Sequence, residues 1–104
     1  MAPKIRFELA GKVIAAKQQY PQEPVYDCGV EKEAYQFVRP SGQGPSPMIG
    51  SNVVYKQENG KTFNVDEVVR EWKVPLQEMG NNKKRFGCNL SIVPGQYKVA
   101  CVFE

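Results

Sequence analysis

The strongest constraint in this chain is the alternation near its C-terminal end. Phe86, Cys88, Leu90 and Ile92 recur at every second position, and so do Tyr97, Val99, Cys101 and Phe103. A period of two places each set on one face of an extended strand. Between them stands Val93-Pro94-Gly95-Gln96, with Pro and Gly in the central positions of a type II turn. Pairing Val93 with Gln96 sets Ile92 opposite Tyr97, Leu90 opposite Val99 and Cys88 opposite Cys101. A local hairpin is therefore fixed first, and the rest of the chain must build on it.

Elsewhere the signals are shorter. Ile5, Phe7 and Leu9 alternate with charge and read as a strand, which Ala10-Gly11 can turn and Val13-Ile14-Ala15-Ala16 can return. Val25-Tyr26-Asp27-Cys28, Ala34-Tyr35-Gln36-Phe37-Val38 and Asn52-Val53-Val54-Tyr55 are further strand candidates. Asn59-Gly60 supplies the positive φ of a tight turn. Asn64 then caps a helix, with Glu67 in the capping-box position. Val65, Val68, Val69 and Trp72 follow on one helical face, and Pro75 is expected to stop the helix. Trp72 is expected to be buried against the sheet. The segment at 40–47, Pro-Ser-Gly-Gln-Gly-Pro-Ser-Pro, reads as a loop within one domain spanning 1–104. These readings give an α+β fold: a β-sheet braced by a single α-helix.

Composition narrows the chemistry. The 104 residues include no histidine, which removes Ser-His-Asp and Cys-His catalysis and every His-ligated metal site. No Cys-x-x-Cys exists to hold zinc, so neither metal nor cofactor is expected. Gly60-Lys61-Thr62 resembles the end of a P-loop, but Tyr55 stands where its first glycine belongs. The carboxylates Glu31, Glu33, Asp66, Glu67 and Glu71 read as caps and solubility, without an acid partner for general-base work. A histidine-free nuclease would need them together with Arg39, Arg70 or Arg85. The net charge is a mild +3, and its one cluster, Lys83-Lys84-Arg85, reads as a solvated loop or as an anion or RNA contact. No stretch is long and apolar enough for a membrane span. The first residues do not read as a signal peptide, and Met1-Ala2-Pro3 looks like an initiator methionine set before a mature chain. A secreted protein whose signal has been removed is expected, and Asn89-Leu90-Ser91 adds a glycosylation sequon with Asn89 on the outward face of its strand. Three cysteines then suggest one disulfide and one thiol. Register favours Cys88 with Cys101, and Cys28 with Cys101 is the rival.

Three segments carry a resemblance. Tyr26-Asp27-Cys28 is similar to the aromatic-x-Cys motif near the mature start of ribonuclease-like effectors of powdery-mildew fungi. Residues 55–72 resemble the stretch in which those proteins, and fungal guanyl-specific ribonucleases, enter their single helix; residues 94–103 resemble one of their central strands. The resemblance implies an antiparallel sheet on one helix, with Cys28 bonded to Cys101 and Cys88 left as a buried thiol. Family enzymes use histidines as acid and base, so a chain without them falls in the catalytically dead branch. It would be a secreted effector, delivered into a host cell and binding a host protein or RNA. The alternative, from another class, is a small secreted inhibitor or ligand-binding module that presents the loop at 40–47 to its partner.

Overall fold

The computed structural model describes residues 3–19, 22–39, 52–80 and 82–104. The loop at 40–47 lies outside them. The described residues form α1 (Pro3–Lys17), β1 (Val25–Tyr26), α2 (Cys28–Val38), β2 (Val53–Asn59), α3 (Val65–Glu78), β3 (Arg85–Val93) and β4 (Gln96–Phe103).

The expected strands at 5–9 and 13–16 are instead the helix α1. Leu9, Val13 and Lys17, four apart, are its buried stripe, and Phe7, which the alternation placed beside Ile5 and Leu9, is 78% exposed. A stripe of period near four overrides a three-residue alternation once a second helix is available to cover it. Gly11, expected in a turn, lies inside this helix.

The strand expected at 34–38 is also helical, and of residues 25–28 only Val25 and Tyr26 belong to a strand. Asp27 ends the strand and caps α2: its Oδ1 accepts from the backbone N–H of Gly29 at 2.7 Å and of Val30 at 3.1 Å. Val30, Ala34 and Val38 then form one buried face.

Helix α3 begins as expected, with Asn64 Oδ1 accepting from the Glu67 N–H at 3.1 Å. It does not end at Pro75. The helix runs on to Glu78, since Leu76 and Met79 continue the face of Val65, Val68 and Trp72, at 0% and 7% exposure. A proline inside a helix costs about 3 kcal/mol, and burying two large apolar side chains returns about 1.5–3 kcal/mol each. The carbonyl that Pro75 leaves without its helical donor belongs to Glu71, on the exposed side. The helix end is closed from outside: the buried Lys17 ammonium donates to the carbonyls of Gly80 and Leu76 and lies over the Phe103 ring. Burial, reinforced by nearby Lys83, lowers the Lys17 pKa.

The sheet order is β1-β3-β4-β2. β3 and β4 pair antiparallel with Val93 facing Gln96, Ile92 facing Tyr97 and Cys88 facing Cys101, and Gly95 takes the positive φ its turn requires. β2 pairs antiparallel with the other side of β4, while β1 runs parallel to β3. Asn59-Gly60 is a turn with positive φ at Gly60, leading into α3 rather than into a hairpin.

The single brace expected from the sequence is three helices. α1 and α3 cover one face around Leu9, Val13, Val68, Trp72, Leu76, Tyr97, Val99 and Phe103. α2 covers the other, where Val30 and Ala34 meet Val53 and Val102. β4 is consequently buried on both faces from Val99 to Phe103. The α2 layer sits close: a Cβ on Gly87 would lie 2.2 Å from the backbone nitrogen of Glu31. Only glycine fits there.

Candidate functional site

The turn of the β3–β4 hairpin does not stand alone. Gly60 N–H donates to the Gly95 carbonyl at 2.7 Å, and Gln96 Nε2 donates to Asn59 Oδ1 at 2.9 Å. These bonds fix the hairpin tip to the loop that enters α3. Between them and the start of α1 lies an open cleft of about 640 Å³, walled by Ile5, Phe63, Ile92, Val93 and Pro94 with Lys61 and Thr62 at the rim. That volume lies within the roughly 300–1,000 Å³ usual for binding sites. Phe63 meets Tyr97 edge-on at a centroid distance of 5.4 Å and forms the floor. Burial raises the Tyr97 phenol pKa. Ile92 is 61% exposed, an apolar side chain that the fold leaves on the cleft wall. Lys61 Nζ lies 3.7 Å from Glu67. The cleft therefore offers apolar contact on a preset backbone, with one cation at its edge.

A second cluster lies away from this cleft. Arg6 grips Glu31 with both nitrogens of its fork, at 2.7 and 3.0 Å. Tyr26 OH donates to the same carboxylate and accepts from the Cys88 N–H at 3.3 Å. Burial disfavours the Glu31 charge, but bonds from Arg6 and Tyr26 outweigh it and hold the carboxyl below its usual range. The Tyr26 phenol is pushed up, first by burial and then by Glu31. These bonds run between elements, so the cluster ties α1, β1, α2 and β3 together.

The sequence candidates are scattered. Cys88 is bonded to Cys101, with Cα atoms 4.0 Å apart, and Cys28 is an exposed free thiol at the start of α2. Asn89 does not point outward. It lies under α2, where its amide donates to the Glu31 carbonyl at 3.2 Å. The reason is again the second helical layer, which covers a face that the alternation left to solvent. Arg85 is exposed but paired with Glu104 at 3.1 Å and Lys83 is half-buried, leaving Lys84 as the exposed cation of that triplet with no ion pair among the described residues. Glu33 is exposed on α2, Asp66 binds Lys12, Glu71 binds Lys56, and Arg39 and Arg70 lie on exposed surface of α2's end and α3. They do not converge. Among the described residues no group of three or more Cys, Asp or Glu could hold a metal ion, and no helix is long and apolar enough to cross a membrane. Sequence reasoning missed Ile5, Phe63 and Ile92 as cleft walls. The signal for Ile92 was its place beside the turn, where a strand's inward face runs out of core.

Comparison with known proteins places this geometry. The family model for Ancylostoma-associated secreted protein related proteins, a CAP-like group, matches residues 1–103. The crystal structure of the hookworm platelet inhibitor superposes with a TM-score of 0.73 at 15% identity, covering 100% of this chain and 70% of that one. MpPR-1i, a pathogenesis-related protein, superposes with a TM-score of 0.62 at 12% identity, covering 100% of this chain and 90% of that one. At such identities the likeness is one of fold. No curated protein matches in sequence. The resemblance to ribonuclease-like effectors is thereby overturned: two of its three segments fall on the hairpin and on α3, which many α+β folds share, and the third, Tyr26-Asp27-Cys28, is a strand end and helix cap.

Proposed function

The chain belongs to the Ancylostoma-associated secreted protein related family, and from that premise we propose an extracellular binding module of the inhibitor kind, which docks a protein partner at the cleft beside the β3–β4 turn. The observation that carries this reading is the cleft itself. Its walls are apolar, its backbone is braced by the Gly60–Gly95 hydrogen bond, and its ionisable lining consists of Lys61 and the buried Tyr97. Apolar walls on a preset backbone suit recognition of a partner's surface. A partner side chain of apolar character settles on Phe63 and against Ile92, and an acidic neighbour on the partner meets Lys61. Preset walls lower the entropy lost on binding. The hookworm platelet inhibitor has the same fold, which makes platelets the first target to try.

The test is platelet adhesion and aggregation with the purified protein and with Ile92→Glu, whose exposed site leaves folding intact. Inhibition by the parent chain, weakened about tenfold or more by the variant, is expected, because central apolar anchors dominate interface energy. Equal inhibition by both proteins moves the contact away from the cleft. No inhibition removes platelets as the target. Metal-independent turnover of RNA at pH 7 would overturn the non-catalytic reading.

A further inference from the structure

The outer edge of β2 faces away from the rest of the sheet. β2 ends the sheet, and its inner side is bound to β4 throughout Val53–Asn59. The phase of that ladder is fixed at both ends, by Phe103 N–H donating to the Asn52 carbonyl and Gly60 N–H donating to the Gly95 carbonyl. Hydrogen-bonded pairs alternate with non-bonded ones in an antiparallel ladder. Residues 54, 56 and 58 therefore spend their backbone groups on β4, and Val53, Tyr55, Gln57 and Asn59 turn theirs outward. Among the described residues nothing pairs with that edge. An open groove of about 440 Å³ runs along it, between Tyr55, Lys56 and Gln57 on the strand and Glu71, Trp72 and Pro75 on α3, so the helix does not cover the edge.

Edge strands ordinarily discourage pairing with proline, a bulge or an inward lysine. β2 has no proline or bulge. Its inward lysine, Lys56, is already neutralised: it lies 2.9 Å from Glu58 and also binds Glu71. Its ammonium is held charged against burial by those two carboxylates.

From the order of charges along the strand we infer a two-fold pairing centred on Gln57. In that register Gln57 faces the partner subunit's Gln57, and Tyr55 faces the partner subunit's Asn59, all with outward backbone groups. Lys56 then faces the partner subunit's Glu58, and Glu58 the partner subunit's Lys56, at non-bonded positions where side chains lie closest. The register shifted by one residue at each strand would set Lys56 against Lys56, so charge selects the first. The result is one continuous sheet across two chains with a self-complementary contact. The interface is small, below about 1,200 Å², so the association is weak and depends on concentration.

The experiment is sedimentation of the whole chain over a dilution series, with an oxidative trap. Gln57→Cys in a Cys28→Ser background is expected to form a disulfide-linked dimer faster than Glu33→Cys, exposed on α2, in the same background. Gln57→Pro removes an outward donor without touching the β4 ladder and should abolish the dimer. Lys56→Glu should weaken it about tenfold or more, and Lys56→Glu with Glu58→Lys should restore it. Should Lys56→Glu unfold, the Gln57 variants still decide. A chain that stays monomeric up to about 1 mM, a dimer indifferent to Gln57→Pro, or equal trapping rates at positions 57 and 33 would each overturn the proposal.

Discussion

Two glycine-to-alanine changes should move stability in opposite directions. At Gly87 a new Cβ would meet Glu31 N at 2.2 Å, Val30 C at 2.5 Å and Glu31 Cα at 2.7 Å. Ordinary contacts lie near 3.5–4.0 Å, so α2 must retreat by roughly 1 Å. All three atoms are backbone and none can swing aside. Overpacking alone costs about 1–3 kcal/mol. If α2 lets go instead, Val30 and Val38 return to water at about 1.5–3 kcal/mol each. Gly87→Ala should therefore cost about 2–5 kcal/mol, a large share of the 5–15 kcal/mol that a domain usually holds. Gly11 is the control. It lies within α1, where nothing described comes within 4 Å of an added Cβ, and Gly11→Ala should stabilise by about 0.5–1 kcal/mol. Urea unfolding followed by circular dichroism measures both, and hydrogen exchange shows where protection is lost. The change at Gly87 should strip protection from α2 before α3. Equal midpoints for the two variants, with α2 still protected, would refute the close docking of α2.

Trp72, 4% exposed, should cost about 3–5 kcal/mol on Trp72→Ala, read from the same urea curves. Under native conditions one thiol, Cys28, should react with alkylating agents, and reduction of Cys88–Cys101, a loop of 13 residues, should cost about 3 kcal/mol. Because Glu31 titrates below its usual range in the folded chain, its contribution is complete above the unfolded-state carboxylate pKa and is lost as pH falls through the lower, folded value. Glu31→Gln should flatten that acid limb of a stability–pH curve.

What the sequence revealed was local. The hairpin register, the Asn64 cap and the burial of Trp72 all rest on neighbours within a few residues, where period and turn chemistry decide. The misreadings share one cause. Ile5-Phe7-Leu9 and the aromatic run at 34–38 satisfy a strand pattern, yet Leu9–Val13 and Val30–Ala34–Val38 satisfy a helical one. The winner was set by a tertiary partner: α3 for the first, and the face of β4 with Gly87 for the second. That second layer also drew Asn89 inward. The cleft could not be read at all, since Ile5, Phe63 and Ile92 meet only after the hairpin tip is bonded to Gly60.

The position of β4 bears on how the chain is made. It is the last of these strands in sequence, yet it lies between β3 and β2 and contacts both helical layers. A ribosome delivering this chain from its N-terminus releases three strands, none of which but the short β1–β3 pair has a neighbour to bond. The sheet then closes in one step when β4 emerges. Oxidation of Cys88 must wait for the same moment, because its partner arrives on that strand. Within a secretory compartment, formation of this bond thus marks closure of the sheet, and until then the valines of β2 remain open to chaperones.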